Sequence, residues 1–193
     1  MNTERRNDPA MISSGHERNA NDFYPTESWC TENALRNYPI SKDLVIGEPA
    51  CGQGHISKVL IEHGYHVVSS DLNETGYGVS GVDFLLMKEP YPVIFTNPPY
   101  VDDMAFKFAS HAIELTKPYK GIVLMIMRTD WGSAKGIRPV TQHPAFAMKI
   151  EMAKRPKWIE STIGSGQDHP RHYFSWYIWD WKTVGKEPVI RFD

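Results

Sequence analysis

Four short apolar runs, at 43–48, 66–71, 93–96 and 122–127, constrain the chain more than any other feature. Each is a few residues long and closes near an acid, a proline or a glycine, the pattern of a buried strand. Helical stretches lie around them. Thr26 suits an N-cap and Glu27 a first turn, so a helix is expected over about 27–38, ended by Pro39. Ile56, Val59, Leu60 and Ile61 form an apolar stripe that Gly64 stops. A longer helix is expected over 102–116, burying Ala105, Phe108, Ala109, Ala112, Ile113 and Leu115. Strands alternating with helices give an α/β fold, because parallel neighbours need a crossover of about a dozen residues or more.

The rhythm changes after Met127. Residues 130–156 are rich in Gly, Pro and Lys, with one short helix expected near 144–152. Two further runs, 157–163 and 173–181, read as paired strands around the loop 164–170. At 193 residues the chain fits one domain, expected over 21–193 with no separate target-recognition domain, behind a polar, flexible arm at 1–20. The sequence shows no signal-peptide core and no apolar run of the roughly 18 residues a membrane span needs. Two cysteines, Cys30 and Cys51, make no disulfide framework. The expected setting is a reduced cytoplasm.

A net charge of −2 hides a split. Residues 1–117 carry 9 Lys/Arg against 16 Asp/Glu, net −7. Residues 118–193 carry 12 against 7, net +5, and the stretch 128–157 alone holds 7 against 2. Such a stretch is either a solvated basic surface or a face for a polyanion. Lys135 and Arg138 are its expected substrate contacts.

The first run ends in Glu48-Pro49-Ala50-Cys51-Gly52-Gln53-Gly54. Strand, glycine turn and helix make the βα unit that binds nucleotides, because glycine lets the backbone approach a ligand closely. Asp71, 17 residues beyond Gly54, stands where a carboxylate accepts from ribose hydroxyls. Ser57 replaces the third glycine of a dinucleotide fingerprint. A negative Glu48 disfavours a phosphate and favours a cationic ligand, a sulfonium or an amine. The glycines alone also fit a plain tight turn.

Asn97-Pro98-Pro99-Tyr100 follows the third run. In open α/β sheets ligands bind beyond the carboxyl ends of strands. Two prolines fix the backbone and withhold two N–H donors, which leaves the Asn97 side-chain oxygen and the Pro98 carbonyl as acceptors. Such a pair suits both protons of a planar NH₂ group. Tyr100 offers a face on which a planar base stacks.

With these residues the sequence resembles the amino-directed, S-adenosylmethionine-dependent methyltransferases, and most of all the small phage- and prophage-type N6-adenine DNA methyltransferases. The resemblance runs over about 22–181. It implies a Rossmann-like class I methyltransferase fold: a mostly parallel sheet, helices on both faces and an antiparallel C-terminal strand. It implies S-adenosylmethionine as cofactor, held by Phe23, Tyr24, Pro25 and Thr26 of an N-terminal motif and by Glu48, Pro49, Ala50, Gly52 and Gly54 of the glycine turn. Asp71 with Leu72 would meet the ribose, and Asp83 and Phe84 the adenine of the cofactor. Asn97, Pro98, Pro99 and Tyr100 match the catalytic tetrapeptide, with Asn97 also beside the cofactor. Arg155–Trp158 and 173–179 are similar to the closing strand pair of these enzymes, with Phe174 as a second aromatic on the target base.

The implied partner is nucleic acid, DNA first, and no membrane. With so little chain outside the methyl-transfer core, a homodimer or a partner subunit is expected to help choose the target. Three other readings stand beside this one: an RNA adenine methyltransferase, a protein-glutamine methyltransferase of the release-factor type, and a non-catalytic cofactor-binding subunit. About 40 residues before the first strand leave little room for the helical domain usual in the release-factor type. No metal site is expected, because His63/His66 and His169/His172 lack further ligands to complete four positions. The tryptophans at 176, 179 and 181 are expected to pack in the core or at an interface.

Overall fold

The computed structural model describes residues 25–157 and 172–193. The expected arm at 1–20, Phe23, Tyr24, most of the strand expected at 157–163, the loop at 164–170 and His169 lie outside the described residues. Chain order is α1 Ser28–Asn37, β1 Val45–Glu48, α2 His55–Glu62, β2 His66–Ser69, β3 Val93–Thr96 and α3 Met104–Thr116. Then come β4 Ile122–Arg128, the single-turn α4 Arg138–Thr141, β5 Phe146–Glu151, β6 Phe174–Asp180 and β7 Val189–Phe192.

The strands form one sheet in the order β2-β1-β3-β4-β6-β5-β7. The first four are parallel, and β6 inserts antiparallel between β4 and β5. Strand β1 therefore has β2 on one side and β3 on the other. The connection reverses direction there, and the crevice at the carboxyl ends of β1 and β3 is the place such a sheet offers a ligand.

Alternation along the central strands feeds two cores. Val93, Phe95, Ile122, Leu124, Ile126, Trp176 and Ile178 face the side covered by α1 and α2. Ile94, Val123, Met125, Met127, Tyr177 and Trp179 face α3. Helices thus cover both faces. Three indoles on or beside β6 find acceptors: Trp176 Nε1 donates to the Cys30 carbonyl at 2.9 Å, Trp179 to Val140 at 2.7 Å and the half-buried Trp181 to Ile113 at 3.0 Å. Trp176 and Trp179 are core residues that also fix where neighbouring elements sit on the sheet.

Three expectations change. The segment expected as a helix near 144–152 is strand β5, paired with β6 on one side and β7 on the other. The partner of β6 in the closing pair is accordingly β5. Thr26 does not cap α1: Glu27 holds the N-cap position with no side-chain cap bond, and Thr26 is turned toward the sheet. Strand β7 extends the sheet beyond the expected closing pair and lies open to solvent, with Ile190 58% and Phe192 77% exposed. Among the described residues no helix is long and apolar enough to cross a membrane.

Candidate active site

The glycine turn after β1 is built on two left-handed residues, Gly52 at φ 51° and Gly54 at φ 79°. Asp71, 8% exposed, faces it from the end of β2. One Asp71 oxygen accepts from the Gly52 N–H at 2.8 Å, the other from the Asn73 N–H at 2.8 Å. These two bonds fix the carboxylate against the turn and leave lone pairs for further donors, which suits a ribose diol.

The loop after β2 folds back onto the same turn, a feature sequence reasoning missed. The Thr75 hydroxyl donates to the Gly52 carbonyl at 2.5 Å, and the Tyr77 ring lies where a side chain on Gly54 would stand. Lys58 Nζ sits 5.0 Å from the centre of that ring. The signal was an aromatic between two glycines, Gly76 and Gly78, both left-handed.

Glu48 is 2% exposed. The Ser57 hydroxyl donates to it, and the Ser57 and Ser69 oxygens lie 2.6 Å apart. The Ser57 N–H also bonds to the carboxyl, so Glu48 serves the first turn of α2. Burial pushes Glu48 up to about 8, against the opposing pull of the Ser57 bonds. Its carboxyl is a partner of α2 and β2 rather than an exposed negative charge. Cys51, beside it, is pushed up to about 12 by burial, with Glu48 and Asp71 adding to the effect, so its thiol is inert. Pro49 is buried and Ala50 half-buried, both in the turn.

Asp83 is half-buried and accepts from the Leu85 N–H at 2.9 Å, capping the turn Phe84–Leu86. Phe84 is 2% exposed, its ring 4.8 Å from Phe108 and 5.0 Å from His111. It thus packs under α3, and Leu72 is 59% exposed.

Asn97 follows β3 directly. Its amide nitrogen donates to the Thr26 hydroxyl at 3.1 Å, and its oxygen receives the Tyr100 hydroxyl at 2.6 Å. The Tyr100 oxygen also lies 2.9 Å from the Ile126 carbonyl of β4. Pro98 is buried, and Pro99 and Pro25 are half-buried. The Phe174 ring stands edge-on to Tyr100 at 6.2 Å. The structure thus joins Thr26, Asn97, Tyr100 and Phe174 in one cluster. Lys135 and Arg138 are exposed on the segment leading into α4. The Val140 carbonyl of α4 takes the indole of Trp179, which pairs with Val123 near the start of β4. The segment carrying Lys135 and Arg138 therefore leads away from the carboxyl edge.

No protein-family model matches the sequence, and no curated protein matches it. Solved structures do. A candidate class I S-adenosylmethionine-dependent methyltransferase from Listeria monocytogenes superposes with a TM-score of 0.63 at 15% identity, over 92% of this chain and 68% of that one. A modification subunit of a candidate type I restriction enzyme from Vibrio vulnificus gives 0.60 at 11% identity, over 86% of this chain. This chain spans only 45% of that subunit. A candidate RNA methyltransferase from Pyrococcus horikoshii gives 0.58 at 14% identity, over 78% and 80% of the two chains. The parallel half-sheet with its reversal between β1 and β3, the antiparallel β6 and these superpositions establish that the chain has the Rossmann-like class I methyltransferase fold.

Proposed function

We propose that the chain transfers a methyl group from S-adenosylmethionine to the exocyclic N6 amine of adenine in nucleic acid, with DNA as the first substrate. The observation that carries this reading is the position of Asn97 and Pro98. They stand at the carboxyl end of β3, across the reversal point from the glycine turn of β1.

The residues around that turn fit the cofactor. Gly52 and Gly54 form a left-handed backbone surface, and Asp71 is pinned against it. Asp83 adds a second carboxylate beyond β2. Glu48 stabilises the turn from below. The bound cofactor supplies a methyl group already activated by its sulfonium charge.

The protein's own share is orientation and polarisation. The lone pair of adenine N6 is delocalised into the ring, so the amine is a weak nucleophile. Asn97 Oδ1 and the Pro98 carbonyl accept hydrogen bonds from its two N–H groups and support the positive charge that grows on nitrogen as the N–C bond forms and the S–C bond breaks, after which one proton leaves to solvent. Thr26 holds the Asn97 amide nitrogen, which fixes the oxygen as the acceptor facing the site. Tyr100 offers its ring to the base with Phe174 edge-on to it, and Asn97 Oδ1, which takes the Tyr100 hydroxyl on one lone pair, keeps a second for the amine. In-line attack then needs only that the two reactants be held in register. A duplex base must leave the stack to reach this depth.

Likeness to the restriction-enzyme modification subunit is compatible with a DNA acceptor, and likeness to the RNA methyltransferase keeps RNA as the second reading. Target choice beyond the base is assigned, on this reading, to a second copy or a partner subunit, with 21–193 as a single catalytic domain. The test is transfer of labelled methyl from S-adenosylmethionine to duplex DNA, single-stranded DNA, RNA and a glutamine peptide, followed by nucleoside analysis. N6-methyladenine in DNA is the expected product. Label in the peptide alone, or cofactor binding with no transfer to any acceptor, overturns the reading.

A further inference from the structure

We infer that Lys154, Arg155, Lys157 and Tyr173 form the surface that anchors the nucleic-acid strand flanking the target base. This rests on the reading of the chain as a nucleic-acid methyltransferase and adds where the polyanion lies.

Topology brings these residues to the catalytic edge. Strand β6 runs antiparallel to β4, so Phe174 stands opposite Arg128 at the carboxyl end of β4, and Tyr173 precedes it. Strand β5 ends at Glu151 opposite Ser175, so 152–157 emerges at that same edge. The start of α1 is there too: Thr26 bonds Asn97, and the Glu27 carboxylate accepts the Lys157 N–H at 2.8 Å. Tyr173 is therefore one residue from the ring that backs Tyr100.

The side chains on this edge form two cation–aromatic pairs. Lys154 Nζ lies 4.7 Å from the centre of the Trp29 ring. The Arg155 guanidinium lies 4.3 Å from the centre of the Tyr173 ring and donates to the Tyr173 hydroxyl at 2.9 Å. Tyr173 is 46% exposed. Stacking uses the face of a guanidinium and phosphate recognition uses its edge, so the two are compatible. Aromatic rings beside such cations also accept stacked bases of any sequence.

Charge bookkeeping singles out this group within the basic stretch. Arg128 is paired with Asp130 at 2.7 Å. Lys149 is tied to Glu151 at 2.7 Å and to the Thr129 carbonyl at 2.9 Å, over the Tyr177 ring. Asp193, close to Ala153, has Arg36 at 3.0 Å. That leaves Lys154 and Lys157, both exposed and without an ion pair among the described residues, while the Glu27 carboxylate takes the Lys157 N–H. Two exposed lysines next to the site suit phosphates.

Binding of a fluorescent oligonucleotide across a range of salt concentrations tests this directly. The triple variant Lys154→Ala/Arg155→Ala/Lys157→Ala is compared with Lys186→Ala, an exposed lysine beyond the opposite end of β6. Each lost phosphate contact lowers the slope of log affinity against log salt by about 0.9 on duplex DNA and about 0.7 on single strands. The triple variant should therefore lose on the order of 2–3 in slope on a duplex. Its KM for DNA should rise about tenfold or more while cofactor affinity stays within twofold, and Lys186→Ala should match wild type. If the triple variant melts early, Lys154→Gln and Lys157→Gln carry the test singly, each lowering the slope by about 0.9.

A wild-type enzyme that binds and methylates DNA, with variants whose slopes and KM do not move, overturns the inference and leaves the functional reading intact. Label transferred only to a peptide removes both.

Discussion

Asn97 is gripped at both ends of its amide, by Thr26 through nitrogen and by Tyr100 through oxygen. Replacing Asn97 with Ala removes the acceptor and should abolish transfer, while calorimetry should find cofactor affinity within a few-fold of wild type. Asp71→Ala should do the reverse and weaken cofactor binding. Equal losses of affinity in both variants would undo the division of roles. Glu48 makes a prediction with a definite sign. Its folded value of about 8 lies above its ordinary 4.5, so the folded protein holds a proton that the unfolded chain has released. Glu48 thus favours the fold fully below about pH 4.5, and that contribution fades as pH rises through about 8. Glu48→Gln should flatten the fall of thermal stability between those pH values. Thr96 is fully buried, and its hydroxyl has no hydrogen-bond partner among the described residues. Thr96→Val keeps the shape, favours the strand and should raise stability by about 1 kcal/mol in urea unfolding.

At the scale of elements, the glycine turn and the loop behind it act as one unit. Gly54→Ala meets a double penalty, because φ is 79° and the Tyr77 ring fills the space. The left-handed backbone alone costs about 1–2 kcal/mol. Adding Tyr77→Ala should restore only the steric part, which thermal unfolding of the single and double variants would resolve. The elements that sequence made legible are those whose local pattern and tertiary fate agree. Strands β1, β3 and β4 are apolar runs largely buried on both faces, β2 is a short apolar run at the sheet edge, and α2 and α3 carry clear apolar stripes. Strand β5 was not legible as a strand. Ala147, Met148, Lys149 and Glu151 favour a helix, and only its seat between β6 and β7 makes the segment extended. Strand β7, Val189-Ile190-Arg191-Phe192, is an apolar run that sequence reasoning missed, and its place as an exposed edge strand depends on pairing with β5. In the site, Asn97 to Tyr100 and the glycines stood out because their chemistry is rare. Thr75 and Tyr77 act through a fold-back whose one local sign is the pair of glycines around Tyr77.

Across the whole molecule the sheet has two halves. The parallel half, β2-β1-β3-β4, holds the glycine turn and Asn97–Tyr100, β6 adds Phe174 at the same edge, and β5 and β7 extend the sheet beyond it. Removing residues 188–193 should therefore lower the thermal midpoint by several degrees, by freeing the edge of β5 and the Asp193 contacts of α1. Cofactor affinity should stay within a few-fold, as titration of the shortened chain would check. The position of α1 has a consequence in time. The helix lies against Trp176, 146 residues beyond its Cys30 partner, and bonds Asp193 through Asn33, 160 residues away. At about 5–20 residues per second on the ribosome, α1 is made on the order of 10–30 s before the surfaces that receive it. The Thr26 anchor of Asn97 is therefore among the last features to settle, and the nascent chain waits for β6 before the helix can dock.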